Sequence, residues 1–244
     1  MKKTVLFTSV ALSAFLLSQS TSVIAAVTPV QYSSNASVTF TPNTDPTKPV
    51  DPTDPNKPFV PNQPSNPGTA GPLSIDFASS LDFGTQKITS TNETYYAALT
   101  SGIDASGAPK DVPNYVQVTD NTGEDLGWSL NVTQMDDFLN GANILNGAQI
   151  SFTNGNALTA TGSNAGVPTA ATSFILKKGA ATVVTTAQAN EGQGTWVTRY
   201  GNDATSGATA IALDVPGAAT KRVGAYTTTL QWNLSQTPSV NNAI

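Results

Sequence analysis

The 244-residue chain contains no cysteine and no histidine. Without cysteine it has no disulfides to lean on and must be held by a hydrophobic core. Without either residue, Ser–His and Cys–His nucleophilic schemes are excluded, and so are most transition-metal sites. Cations are scarce as well. Removing Lys2 and Lys3 from the 11 Lys and Arg, against 16 Asp and Glu, leaves a formal charge of −7. No basic face remains to neutralise phosphates, which argues against nucleic acid and against adhesion to anionic lipid. Long apolar runs are also missing, apart from "TVLFTSVALSAFLL" near the start. That run is shorter than the ~20 residues of a membrane span.

Behind basic "MKK" and ahead of small-residue "VIAA", the apolar run has the layout of a secretory signal peptide. Residues 1–26 are expected to be removed near Ala25 or Ala26, leaving an exported chain with no membrane span. No sorting signal or hydrophobic tail is recognisable in "SVNNAI", so no covalent anchor is expected.

Residues 27–41 include "NASVTF", which sets Ala36, Val38 and Phe40 on one side and reads as a first strand. Residues 42–72 change character. "TPNTDPTKPVDPTDPNKPFVPNQPSNPG" places a proline every three or four residues. Proline removes backbone donors and fixes φ, so this segment is either an extended tether or a long loop crossing outside the domain. From 73 to 244 the chain is a succession of short runs rich in Val, Ile, Thr and aromatics, such as "YVQVTD", "AQISFT" and "TAIALDV", punctuated by Gly, Asn, Asp and Pro. The expected fold is all-β, an immunoglobulin-like antiparallel β-sandwich with long loops. One short helical turn is expected at "TQMDDFLNGANILNG", where Met135, Phe138 and Leu139 fall at helical spacing.

Of only three tryptophans, two recur in one small pattern: "GWSLNVTQ" from Gly127 and "YTTTLQWNLSQTP" from Tyr226. Residues two apart on a strand share a face. Trp128 and Leu130 therefore point together, as do Tyr226, Leu230, Trp232 and Leu234, with Ser129 and Asn233 opposite. Such residues serve either as core anchors or as an aromatic surface for a ligand. Trp196 in "GTWVTRY" is expected in the core.

These stretches resemble the WxL-domain cell-surface protein family of Gram-positive bacteria. Tyr226, Leu230, Trp232, Leu234 and Pro238 match its terminal signature. "GWSLNVTQ" is similar to its upstream W-x-L, "GPLSIDFASSLDFGTQKI" to its opening segment and "GQGTWVTRYG" to its internal tryptophan motif. The resemblance makes residues 73–244 a WxL β-domain. It implies non-covalent attachment to the cell wall, with peptidoglycan or another wall polymer as ligand, and assembly with WxL-interacting surface proteins. It assigns binding to Trp128, Leu130, Trp232 and Leu234, supported by Tyr226 and Leu230. Physically, the two stretches are expected side by side, with both tryptophans flooring one groove.

Catalysis and cofactors are not expected. The carboxylates Glu93, Asp104, Glu124, Asp125, Asp136, Asp137, Glu191 and Asp214 are scattered among turn signals and make no facing pair. "TDNTGED" and "GNDATSG" lack calcium-loop spacing. A wall hydrolase and a structural subunit binding a protein partner remain as alternatives. Anionic wall polymers would repel a −7 protein, so binding should strengthen toward the sequence pI of about 4.5.

Overall fold

The computed structural model describes residues 28–62, 67–160 and 166–236. The expected signal peptide and Pro238 lie outside the described residues. The chain divides into two units, Met1–Thr39 and Phe40–Ile244. In the first, residues 28–39 carry no regular structure and are exposed. The strand expected over Ala36, Val38 and Phe40 is not formed there.

In the second unit the expected all-β character is observed. Three four-stranded antiparallel sheets supply one main core. The first runs β13 (Gly155–Thr159), β17 (Gly194–Tyr200), β8 (Tyr115–Asp120), β4 (Leu73–Ala78). The second runs β14 (Thr169–Ala170), β16 (Ala181–Ala187), β9 (Trp128–Gln134), β19 (Leu230–Gln236). The third runs β15 (Phe174–Ile175), β12 (Gln149–Phe152), β18 (Ile211–Val215), β5 (Glu93–Tyr96). Three smaller sheets complete the set. They are β1 (Val50–Asp51) with β2 (Asp54–Pro58), β10 (Leu139–Asn140) with β11 (Asn143–Ile144), and β3 (Val60–Pro61) with β6 (Thr100–Ile103) and β7 (Pro109–Val112). Among the described residues the strands thus divide among six small sheets, where the sequence reading expected the two large ones of an immunoglobulin-like sandwich.

Alternation explains the main core. Val116 and Val118, Trp128, Leu130 and Val132, and Ile150 and Phe152 each take every second position of their strands and are buried together. β8 departs from the rule, since all six of its residues are buried. Its second face, with Tyr115, Gln117 and Thr119, is covered too. A smaller core of Phe59, Phe77, Val112, Tyr115 and Val197 forms there, with Val50 packed against it.

The cover is the proline-rich segment. Its prolines leave few donors, and side chains of the domain meet those that remain. Val50 N–H donates to Gln117 Oε1, and Gln117 Nε2 donates to the carbonyl of Lys48. Arg199 donates to the carbonyl of Pro52. Lys110 pairs with the buried carboxylate of Asp51, which also accepts from Thr53. Burial pushes the Asp51 pKa up, but the bonds from Lys110 and Thr53 outweigh it and hold the carboxyl below its ordinary value. Asn43 N–H reaches the carbonyl of Asn121. From Asn43 to Asn62 the segment therefore lies bonded to the domain and makes strands, where an extended tether or an outside loop was expected.

The helical turn expected around Met135, Phe138 and Leu139 is a hairpin, β10–β11. Asn140 precedes Gly141, whose φ of +57° suits the tight reversal. Phe138 is buried and Met135 exposed, so their spacing reflects a strand end, not a helix face. Among the described residues the helix that does form is one turn, α1 (Ala204–Gly207), capped by the Asp203 side chain.

Candidate functional site

The two W-x-L stretches form neighbouring antiparallel strands. β9 lies between β16 and β19, and its register with β19 sets Leu130 opposite Leu234, Val132 opposite Trp232, and Trp128 opposite Gln236. Directly opposed residues share a face, so both motifs turn their Trp and Leu toward the core. The expectation that the stretches lie side by side holds in this geometry.

The shared groove does not. Trp128 and Trp232 sit four rungs apart, about 13 Å along the strands. Trp128 is 1% exposed and Leu130 0%. The Trp128 indole N–H donates to the carbonyl of Gly192 at 3.1 Å, deep in the core. Gly192 makes room for the ring, and Gly127 for the neighbouring strand. A Cβ on Gly192 would stand 2.5 Å from Trp128 Nε1, and one on Gly127 would stand 2.3 Å from the carbonyl oxygen of Ala187. Both glycines have φ of +77°. Trp128 and Leu130 thus present no surface to a ligand. The reason is position, since β9 is flanked on both edges and its inner face meets the core. Trp196 is buried as expected, with its N–H donating to Gln193 O.

β19 is different. It ends its sheet, and its burial alternates between half-buried and exposed. Leu230, Trp232 and Leu234 pack against the core from outside, and Tyr226 does so from the preceding segment. Tyr226, Leu230 and Trp232 line a cavity of about 1330 Å³. It is lined as well by Ile75, Ile150, Leu213 and Val215 and by the strandless stretch with Leu81, Phe83 and Ile88. "LDFGTQKI" forms no strand, turns at Asp82 and Gly84, where the Gly84 N–H donates to Asp82 Oδ1, and packs half-buried Phe83 edge-on to Phe138 at 6.4 Å. Leu234 lies just beyond the cavity lining.

The rim carries charge of one sign more than the other. Lys87, Lys221 and Arg222 line the cavity with Asp82 and the buried Asp76. Lys221 turns its ammonium to the carbonyls of Pro216 and Ala219, while Lys87 and Arg222 are exposed. Burial raises the Asp76 carboxyl above its ordinary value, against the hydrogen bonds from Thr119, Gln117 and Ser74. On the opposite face of the β9–β19 pair, Ser129, Asn131 and Thr133 stand beside Ser235, Asn233 and Gln231, an uncharged polar ladder.

An aromatic at the mouth of an apolar groove on an all-β domain is the geometry of a binding domain, and the comparison with known families agrees. The family model that matches describes a surface, cell wall-binding domain and covers residues 27–238. The chain belongs to the WxL domain family. No curated protein and no solved structure matches it.

Proposed function

We propose that this protein is exported and attaches non-covalently to the Gram-positive cell wall, with peptidoglycan as ligand, through the groove beside β19, and that it catalyses no reaction. The observation that carries the reading is Trp232 at the groove mouth. It is the tryptophan of the three whose ring is not fully buried. Aromatic faces take sugar rings, and Tyr226 and Leu230 extend the same apolar wall. The Lys87 and Arg222 rim offsets the repulsion expected between a −7 chain and an anionic polymer. Trp128 and Leu130 then act by fixing β9, the strand on which β19 rests.

The test is sedimentation of the mature protein with purified sacculi stripped of teichoic acid and protein. The wild type is expected to pellet, and a folded Trp232→Ala variant to stay in the supernatant. A Lys87→Ala/Arg222→Ala variant should bind less at low salt and equal the wild type at high salt. Full binding by folded Trp232→Ala would move the site elsewhere. A second reading, a structural subunit that binds companion surface proteins, is favoured by the open edge of β19.

A further inference from the structure

Two features of this chain lack a counterpart. The first is an edge. Among the described residues β19 pairs with β9 alone, and its seven residues, LQWNLSQ, include neither a charge nor a proline. Those are the usual guards of a free strand edge. Main-chain direction alternates along an antiparallel strand. Met135 N–H donates to the carbonyl of Thr229 at 2.9 Å, so Thr229 turns its main chain toward β9. Leu230, Trp232 and Leu234 therefore turn their N–H and C=O groups to the open side. Hydrogen-bonding groups and an apolar groove are offered together, by the same residues.

The second feature is a strand without a sheet. Residues 30–40, VQYSSNASVTF, put Val30, Tyr32, Ala36, Val38 and Phe40 at alternate positions, with Gln31, Ser33, Asn35, Ser37 and Thr39 between them. This is the period of a half-buried strand over eleven residues, broken once on the apolar side by the small polar Ser34. Its large apolar side chains are exposed. Val30 is 96% exposed, Tyr32 93%, Val38 75% and Phe40 87%. Large apolar side chains exposed at strand spacing mark a docking element. The segment carries no charge, so neither Lys87 nor Asp82 at the groove rim opposes it.

We propose that residues 30–40 of one copy add as a strand to the free edge of β19 in a second copy. The apolar side of the incoming strand lies toward the groove and the polar side faces solvent, and main-chain bonds run to Leu230, Trp232 and Leu234. The contact is heterologous, because donor segment and acceptor edge are different surfaces of the chain. Copies therefore add head to tail, into a filament or a closed ring. Strand and wall polymer exclude each other over Trp232 within one copy. The pairing does not rest on the wall reading, since it is measured with no wall present.

The test is sedimentation velocity of the chain from residue 27 across a wide concentration range. The expected result is a mass that grows with concentration. A Val38→Lys/Phe40→Lys variant changes only exposed positions. It should keep the wild-type circular dichroism and weaken association by about a hundredfold, the loss expected for two apolar contacts. An excess of synthetic peptide 28–41 should return the wild type to monomer and shift Trp232 emission to the blue, while the same peptide with both lysines does neither. A monomer at every concentration, equal association by the double variant, or oligomers untouched by the peptide would each overturn the proposal. The edge would then be left to a partner protein or to the wall polymer.

Discussion

The same three letters, W-x-L, occur on β9 and on β19 with opposite exposures. On β9 the tryptophan is buried against Gly192 and bonded to its carbonyl. On β19 the tryptophan is half-buried at the mouth of a groove. A shared pattern therefore does not mean a shared role. Strand position in the sheet, central or edge, decides which copy of the motif is closed into the core and which keeps an accessible side.

Substitutions can break this contrast. Trp128→Ala should cost about 4 kcal/mol, the scale for emptying a buried aromatic site, and chemical denaturation will read it. If its loss proves as mild as that of Trp232→Ala, the contrast fails. The paired leucines repeat the comparison at smaller scale. Leu130→Ala should cost about 3 kcal/mol and Leu234→Ala, directly opposite it, about 1 kcal/mol.

Asp51→Asn sharpens the contrast by acting away from both motifs. It should cost about 2 kcal/mol at neutral pH, as for hydrogen bonds to a charged group. The Asp51 carboxyl is held below its ordinary 3.8 in the fold. Its contribution is therefore whole above that unfolded value and fades as pH falls through the folded one. Denaturation at neutral pH and near pH 2 should show the gap between wild type and Asp51→Asn closing in acid, while the accessibility of Trp232 stays unchanged.

Trp232→Ala should cost about 1 kcal/mol and remove most of the acrylamide-quenchable fluorescence, because Trp128 and Trp196 are sealed. Strong residual quenching would show that β9 is not closed. Tyr200→Phe should be close to neutral, because its buried hydroxyl finds no hydrogen-bond partner among the described residues.

Much of this architecture was legible in the residues. Alternation located β8, β9, β12, β17, β18 and β19, and the spacing of the two motifs put each Trp on the same face as its Leu. Periodicity could not tell Trp128 from Trp232, because inner and edge strands of one sheet alternate alike. Burial follows from strand order, which no local pattern encodes. The fate of the proline-rich segment was hidden for a related reason. Its bonds run to Gln117, Lys110 and Arg199, at separations of 57 to 147 residues, and a polar side chain in a strand does not announce which backbone it will serve. Met135 and Phe138 misled because three-residue spacing also arises where a strand runs into a hairpin. For the site, Tyr226, Leu230 and Trp232 were named from sequence, whereas Lys87 and Arg222 were not. Their value comes only from being folded to the rim of one groove.

The docking of residues 43–62 has a consequence in distance. As a free polyproline rod that stretch would extend about 60 Å. Bonded along the second face of β8, it gives none of that reach. The β-domain cannot be held out on this segment like a float on a line. Whatever polymer or strand it grips must come to the surface where the domain already sits.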